Sequence, residues 1–167
     1  MKEEFAFDYP VMEAETLSDY ETERGKPMPN KIHSVIQSRL DRWLGIHYGD
    51  QFEIGTELSL DIPGKPATPD VVMMEKEPLD YFDDTPRESD PPLVAIEIAS
   101  PSQGFSVFKD KAVRYFAFGV RSYWLVQPNL RTIYVFSAPQ VYEAFFSHDV
   151  LRDPVVGVEM PLAEIFT

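Results

Sequence analysis

The segment LVAIEIASPS, residues 93–102, is apolar on both faces apart from one carboxylate, Glu97. Alternation puts Leu93, Ala95, Glu97 and Ala99 on one side of an extended chain and Val94, Ile96 and Ile98 on the other. Such a run reads as a strand in the interior of a sheet. Glu97 shares its face with small residues, and an unpaired carboxylate there is expensive. It must be neutralised, hydrogen-bonded or coordinated to a cation.

Working outward, SPSQG breaks the strand, and FSVFKDKAVRYFAFG follows with Phe105, Phe108, Ala112, Tyr115 and Phe116 as an apolar helical stripe ending at Gly119. Before the strand, residues 75–91 (EKEPLDYFDDTPRESDP) hold seven acids and two basic residues, the composition of a solvated loop. Earlier still, DVVMM is a second short strand, and DIPGKPATP is a turn. QFEIGTELSL alternates with Phe52, Ile54, Leu58 and Leu60 on one side, predicting a strand with one covered face. Asn30 is placed to cap a helix in which Ile32, Val35, Ile36, Leu40, Trp43 and Leu44 share a face, with Gly49 as its end. Downstream, RSYWLVQP and RTIYVFS pair as a hairpin across QPNLR, followed by a strand near VYEAFF and a short terminal helix at PLAEIF. A short helix near Thr16 and an extended stretch at DYETERGKP are expected in the acidic N-terminal thirty residues. The order of elements predicts an α/β class fold, an α+β mixed sheet.

The 167 residues suit one domain over 1–167, with residues 1–16 an N-terminal extension. The absence of cysteine removes thiolate catalysis, cysteine-based zinc sites and disulfides, and fits a reducing cytoplasm. No apolar run approaches membrane-spanning length, so the expectation is a soluble cytoplasmic protein without a membrane partner. Fifteen Lys and Arg against 28 Asp and Glu give a net charge of −13. That sign argues against a module held to nucleic acid by non-specific phosphate attraction. It argues less against an enzyme in which a divalent cation and local basic groups offset the carboxylates.

Asp70 opens the strand before Glu97, and two carboxylates on neighbouring strands can converge on a hard, oxygen-seeking ion such as Mg²⁺. Lys111 joins them if its helix packs beside the strand. Taken singly, Glu97 also reads as an edge-strand residue reaching solvent, Asp70 as a turn residue after Pro69, and Lys111 as a helix-surface group. His33 and His47 are too far apart for a metal pair on one helical turn, and a partly exposed helix surface or cap is the simpler reading of either. His148 reads as a loop residue, and no phosphate-loop, nucleophile-elbow or dinucleotide pattern occurs. Trp43, Tyr123 and Trp124 read as core.

TPDVV, a variable acidic loop, PPLVAIEIASPSQ and KAVRYFAFGVRSYWLVQP together resemble the Uma-two family, bacterial proteins described as candidate restriction endonucleases of the PD-(D/E)xK nuclease superfamily. YETERGKPMPNKIHSVIQSRL resembles that family's Glu-containing strand, Gly turn and His-bearing first helix, and GVEMPLAEIF its closing segment. The resemblance runs from about Tyr20 onward. It implies a restriction-endonuclease-like core with a central mixed sheet flanked by helices. By resemblance Asp70 matches the metal-binding Asp, and Glu97 the acid of the (D/E)xK element, whose usual lysine position is Ala99 here. The family pattern supplies its lysine from the following helix, four residues before a tyrosine: Lys111 and Tyr115. Glu21 matches an additional upstream glutamate, with Glu23 a nearby alternative, and His33 follows a family position that approaches the site. Ser122 and Gln127 stand where acids are frequent and lie outside the catalytic set.

The implied chemistry is metal-assisted phosphodiester hydrolysis. Asp70, Glu97 and the carbonyl of Ile98 would hold Mg²⁺ or Mn²⁺, Lys111 would orient or deprotonate water, and Glu21 would hold the geometry or a second ion. The 3′ oxygen would leave, giving a 5′-phosphate. DNA is the implied substrate, and a homodimer is the arrangement by analogy with nucleases of this fold that cut two strands. The basic rim for such a substrate is sought at Lys65, Lys109, Arg114 and Arg121. The alternative is an inactive nuclease-fold scaffold or interaction module, which the charge of −13 favours and the joint presence of Asp70, Glu97 and Lys111 disfavours.

Overall fold

The computed structural model describes residues 25–167; the helix expected near Thr16, most of the stretch at 19–27, and Glu21 and Glu23 lie outside the described residues. Asn30 caps α1 (Lys31–Tyr48), its side chain accepting the His33 N–H at 2.9 Å. This satisfies one of the orphan donors of the first turn. β1 (Phe52–Thr56), β2 (Val71–Glu75) and β3 (Val94–Ile98) follow, then α2 (Phe105–Phe118), β4 (Ser122–Gln127), β5 (Thr132–Ala138) and β6 (Val141–Phe146). A final hairpin of β7 (Val150–Asp153) and β8 (Val158–Pro161) leads to a 3₁₀ turn at Leu162–Glu164 in place of the expected terminal helix.

β1 to β6 form one six-stranded sheet in chain order. All neighbours are antiparallel except β3 and β4, which run parallel with Glu97 opposite Leu125. A parallel pair needs a crossover, and α2 supplies it. Its end is set by Gly119 at φ 118°, a left-handed conformation that also brings the glycine so close to Pro91 that a Cβ would sit 2.9 Å from the proline ring.

The alternation read through Glu97 sorts the interior from residue 94 onward, whereas Leu93, expected on the Ala95 side, packs against the cluster that holds Val94. Val94, Ile96 and Ile98 join α1 and the β7–β8 hairpin in one core cluster, while Ala95 and Ala99 join Phe108, Ala112 and Tyr115 of α2 in another. Small residues on the second face leave room for the side chains of α2, which packs chiefly over β4 and β5. Leu40 and Leu44 of α1 are completely buried, worth about 2 kcal/mol each on an area basis.

Two apolar patterns change on folding. Ile32 and Val35 are exposed, whereas His33 is buried with Ile36, Leu40, Trp43 and Leu44. The buried stripe of α1 is thus rotated at its first turn, because a polar residue there has a buried carboxylate to meet. Phe52 and Ile54 of β1 pack with the α1 side, but Glu57 takes φ 54° and ends the alternation, so Leu58 and Leu60 pack on the α2 side. No helix among the described residues is long and apolar enough to cross a membrane.

Candidate functional site

β2 begins one residue after Asp70, and the β2–β3 register pairs Val71 with Ile96. Extending that register by one residue sets Asp70 opposite Glu97, both essentially inaccessible to solvent (0% and 1%). The Asp70 N–H still reaches the Ile96 carbonyl at 3.0 Å. Beyond it the ladder stops, and the N–H of Ile98 turns to Asp70 Oδ2 at 2.7 Å. The end of a strand therefore provides both the acid and one of its donors.

Each helix brings two side chains, one turn apart, to one acidic residue: α2 places both on the Glu97 carboxylate, and α1 places one on the Asp70 carboxylate and one on the Asp70 backbone carbonyl. From α1, His33 Nε2 lies 3.1 Å from Asp70 Oδ1, and Gln37 donates to the Asp70 carbonyl at 3.0 Å and to Glu57 Oε1 at 3.1 Å. From α2, Lys111 Nζ lies 3.1 Å from Glu97 Oε1, and the Tyr115 hydroxyl donates to the same oxygen at 2.6 Å. Lys111 thus returns from the helix to the face carrying Glu97.

Between the carboxylates stands a group that sequence reasoning did not single out. Lys26 Nζ is 2.6 Å from Asp70 Oδ1 and 3.7 Å from Glu97 Oε2, with its side chain 4% exposed. Its 44-residue separation from Asp70, within a stretch expected only to be extended, hid it. His33 was expected on a partly exposed helix surface or cap; it is instead buried against Asp70, where the acid satisfies Nε2. Tyr115 was read as an apolar stripe residue beside Lys111, and its hydroxyl proves to be a partner of Glu97.

Electrostatics follow from this arrangement. Burial by itself would raise the Asp70 pKa, but the hydrogen bond from His33 and the charge of Lys26 outweigh it and bring the pKa to about 2. Burial first, and then the charge and hydrogen bond of Glu97, push the Tyr115 phenol well above its ordinary value, so it remains a donor. Tyr123 is raised in the same direction by burial and by the charges of Glu97 and Asp70. Its hydroxyl and His33 Nδ1 are buried without a hydrogen-bond partner among the described residues.

The donor set suits a hard cation at two oxygens, Asp70 Oδ1 and Glu97 Oε2, the pair facing Lys26. Among the described residues no group of three or more His, Asp or Glu converges as a ready-made cage. Any bound ion would draw further ligands from backbone or water. Beside the pair lies a cleft of about 650 Å³ lined by His33, Ala99, Lys31, Arg39 and Arg131, with Ile32, Val35 and Phe166 among its apolar walls. No acidic residue lines it among those described. The basic residues sought as a rim lie differently: Lys65, Lys109 and Arg121 are exposed, and Arg114 donates to the carbonyls of Lys65 and Pro66. Ser122 bonds Asp153 and takes no part in the acidic pair.

The fold is shared with a solved structure from Anabaena variabilis described as "a putative nuclease belonging to DUF820". The two are 21% identical with a TM-score of 0.71, over 84% of this chain and 83% of the other. At that identity the likeness establishes the fold. None of the curated proteins compared with the chain matches it. A family model described as "Uma2: Putative restriction endonuclease" matches residues 8–163, nearly the whole length. The chain, with its opposed Asp70 and Glu97 and its helix-borne Lys111, belongs to the Uma2 (Uma-two) family.

Proposed function

We propose that this protein is a metal-dependent endonuclease that hydrolyses DNA phosphodiester bonds. The observation that carries the reading is the return of Lys111 to Glu97 at 3.1 Å, with Asp70 directly across the strand pair. Asp70 Oδ1, Glu97 Oε2 and the carbonyl of Ile98 are the groups that would hold Mg²⁺ or Mn²⁺. A bound ion would supply charge stabilisation at the phosphate and acidify a water ligand. Lys111 orients or deprotonates the attacking water and balances charge on the phosphorane-like transition state. Tyr115 fixes Glu97, and His33 fixes Asp70. Glu21 is the residue proposed to hold the geometry or a second ion. The 3′ oxygen leaves and the product carries a 5′-phosphate.

The cleft beside His33 supports a polyanionic substrate, since Lys31, Arg39 and Arg131 line it with no acidic side chain among the described residues, in a chain of net charge −13. The proposal extends to a cytoplasmic protein acting as a homodimer on duplex DNA. A second reading, an interaction scaffold that retains the fold, is favoured by that same net charge and predicts no cleavage. The test is incubation of plasmid and single-stranded DNA with Mg²⁺ or Mn²⁺, comparing wild type with Asp70→Ala and Lys111→Ala. Cleavage by wild type and loss in both variants is expected. A wild type inert on every nucleic acid, or variants that cut equally well, sinks the assignment.

A further inference from the structure

We propose that Lys26 is a built-in occupant of the cation position, and that a divalent ion enters the site only by displacing its ammonium group. The inference rests on Asp70 and Glu97 forming a cation-binding pair, and goes beyond it by assigning the competitor. The oxygens identify the position. Asp70 Oδ2 is engaged by the Ile98 N–H, and Glu97 Oε1 by Lys111 and Tyr115. Asp70 Oδ1, which also meets His33 Nε2 at 3.1 Å, and Glu97 Oε2 are the two that Lys26 Nζ approaches, at 2.6 and 3.7 Å.

Two physical arguments make coexistence with a metal untenable. A Mg²⁺ ligand distance of about 2.0–2.1 Å leaves no room for an ammonium hydrogen-bonded to the same face of the same oxygen. Among the described residues the two buried carboxylates already meet two ammonium groups, Lys26 and Lys111, besides the His33 imidazole. Adding a dication without removing a cation would leave a net positive, water-poor site with strong repulsion. Replacement of Lys26 by the ion removes one of those excess positive charges. Lysine is also suited to leave: its ammonium is a strongly hydrated point charge on a flexible four-carbon stem, and a side-chain rotation can carry it to water. In the metal-free protein it neutralises two acids that would otherwise repel each other.

The decisive measurement is Mn²⁺ binding without DNA, followed by electron paramagnetic resonance of free Mn²⁺, for wild type and Lys26→Met. The substitution removes the ammonium group and keeps an unbranched, flexible side chain one atom shorter. Lys26→Met is expected to bind at least about tenfold more tightly, since the occupied fraction no longer reduces the apparent affinity. It is also expected to melt lower than wild type in EDTA and to gain more in melting temperature from Mn²⁺. Amine labelling of wild type read by mass spectrometry gives a second measurement that needs no variant: Lys26 should be protected in EDTA and labelled in saturating Mn²⁺. Metal binding by Lys26→Met where wild type shows none would also support displacement. Equal or weaker binding by Lys26→Met, continued protection of Lys26 in Mn²⁺-saturated wild type, or no binding by either protein overturns it. A wild type that binds Mn²⁺ yet cuts no DNA defeats the nuclease proposal alone and leaves this one standing.

Discussion

Two buried carboxylate centres use different kinds of partner, and the contrast separates a structural acid from a reactive pair. On the α1 side of the sheet, Asp153 of β7 is 1% exposed and meets neutral donors: the Ser122 hydroxyl at 2.5 Å and the Trp124 indole N–H at 2.7 Å on Oδ2, and the Val155 N–H at 2.9 Å on Oδ1. Asp70 and Glu97 meet the ammonium groups of Lys26 and Lys111, which another cation can replace, with the His33 imidazole beside Asp70. A carboxylate held by short, packed dipoles is locked and docks a hairpin. One held by flexible ammonium groups can accept another cation in their place.

The largest effect that would break this contrast concerns catalysis. Lys111→Ala is expected to slow single-turnover DNA cleavage by at least about 10²-fold, the usual range for losing a positioned proton acceptor. Asp153→Ala should leave the rate per folded molecule unchanged. Equal losses in both would erase the distinction. Next comes stability: Asp153→Ala strands two buried donors, Ser122 and Trp124, and should lower unfolding free energy in urea by about 3 kcal/mol. A cost below about 1 kcal/mol would mean that water replaces the carboxylate and that the hairpin is not locked by it.

A pH titration sharpens the comparison further. Because the folded pKa of Asp70 is lowered to about 2, its contribution to stability is complete above the ordinary carboxylate pKa and is lost as pH falls through about 2. The amount at stake is about 2 kcal/mol, so urea midpoints should fall over that window, and Asp70→Asn should flatten this part of the profile. The smallest effect is expected for Tyr115→Phe, at about 1 kcal/mol, because Glu97 loses one donor but keeps Lys111. Unchanged stability there would show that the phenol contributes packing and little else.

Several features of this fold were legible because they depend on local periodicity. Asn30 and Gly119 mark helix ends by their own chemistry, and the alternation through Glu97 assigned each β3 residue to a face. The β7–β8 hairpin was missed, although Leu151, Val158 and Met160 point inward, since the strands are four residues long and one of the inward positions is an aspartate. Glu57 was missed for another reason: a non-glycine residue at positive φ carries no pattern that would announce it.

The candidate site divides along the same line. Its acids were found through their incongruity, a Glu in an apolar strand and an Asp at a strand start, and Lys111 through a resemblance in motif. Lys26 was assigned by neither route, because a lysine outside any periodic element is compatible with solvent, and His33, which its own neighbours place on a helix surface, was brought toward the site only by the resemblance. By itself the sequence determined which faces are apolar, where helices stop and which carboxylate is out of place, all consequences of neighbours within a few residues. Only the tertiary structure decided which cations answer those carboxylates. That choice depends on two helices and a turn meeting at the end of one strand, and Coulomb attraction in a buried gap acts on distance in space, not on separation along the chain.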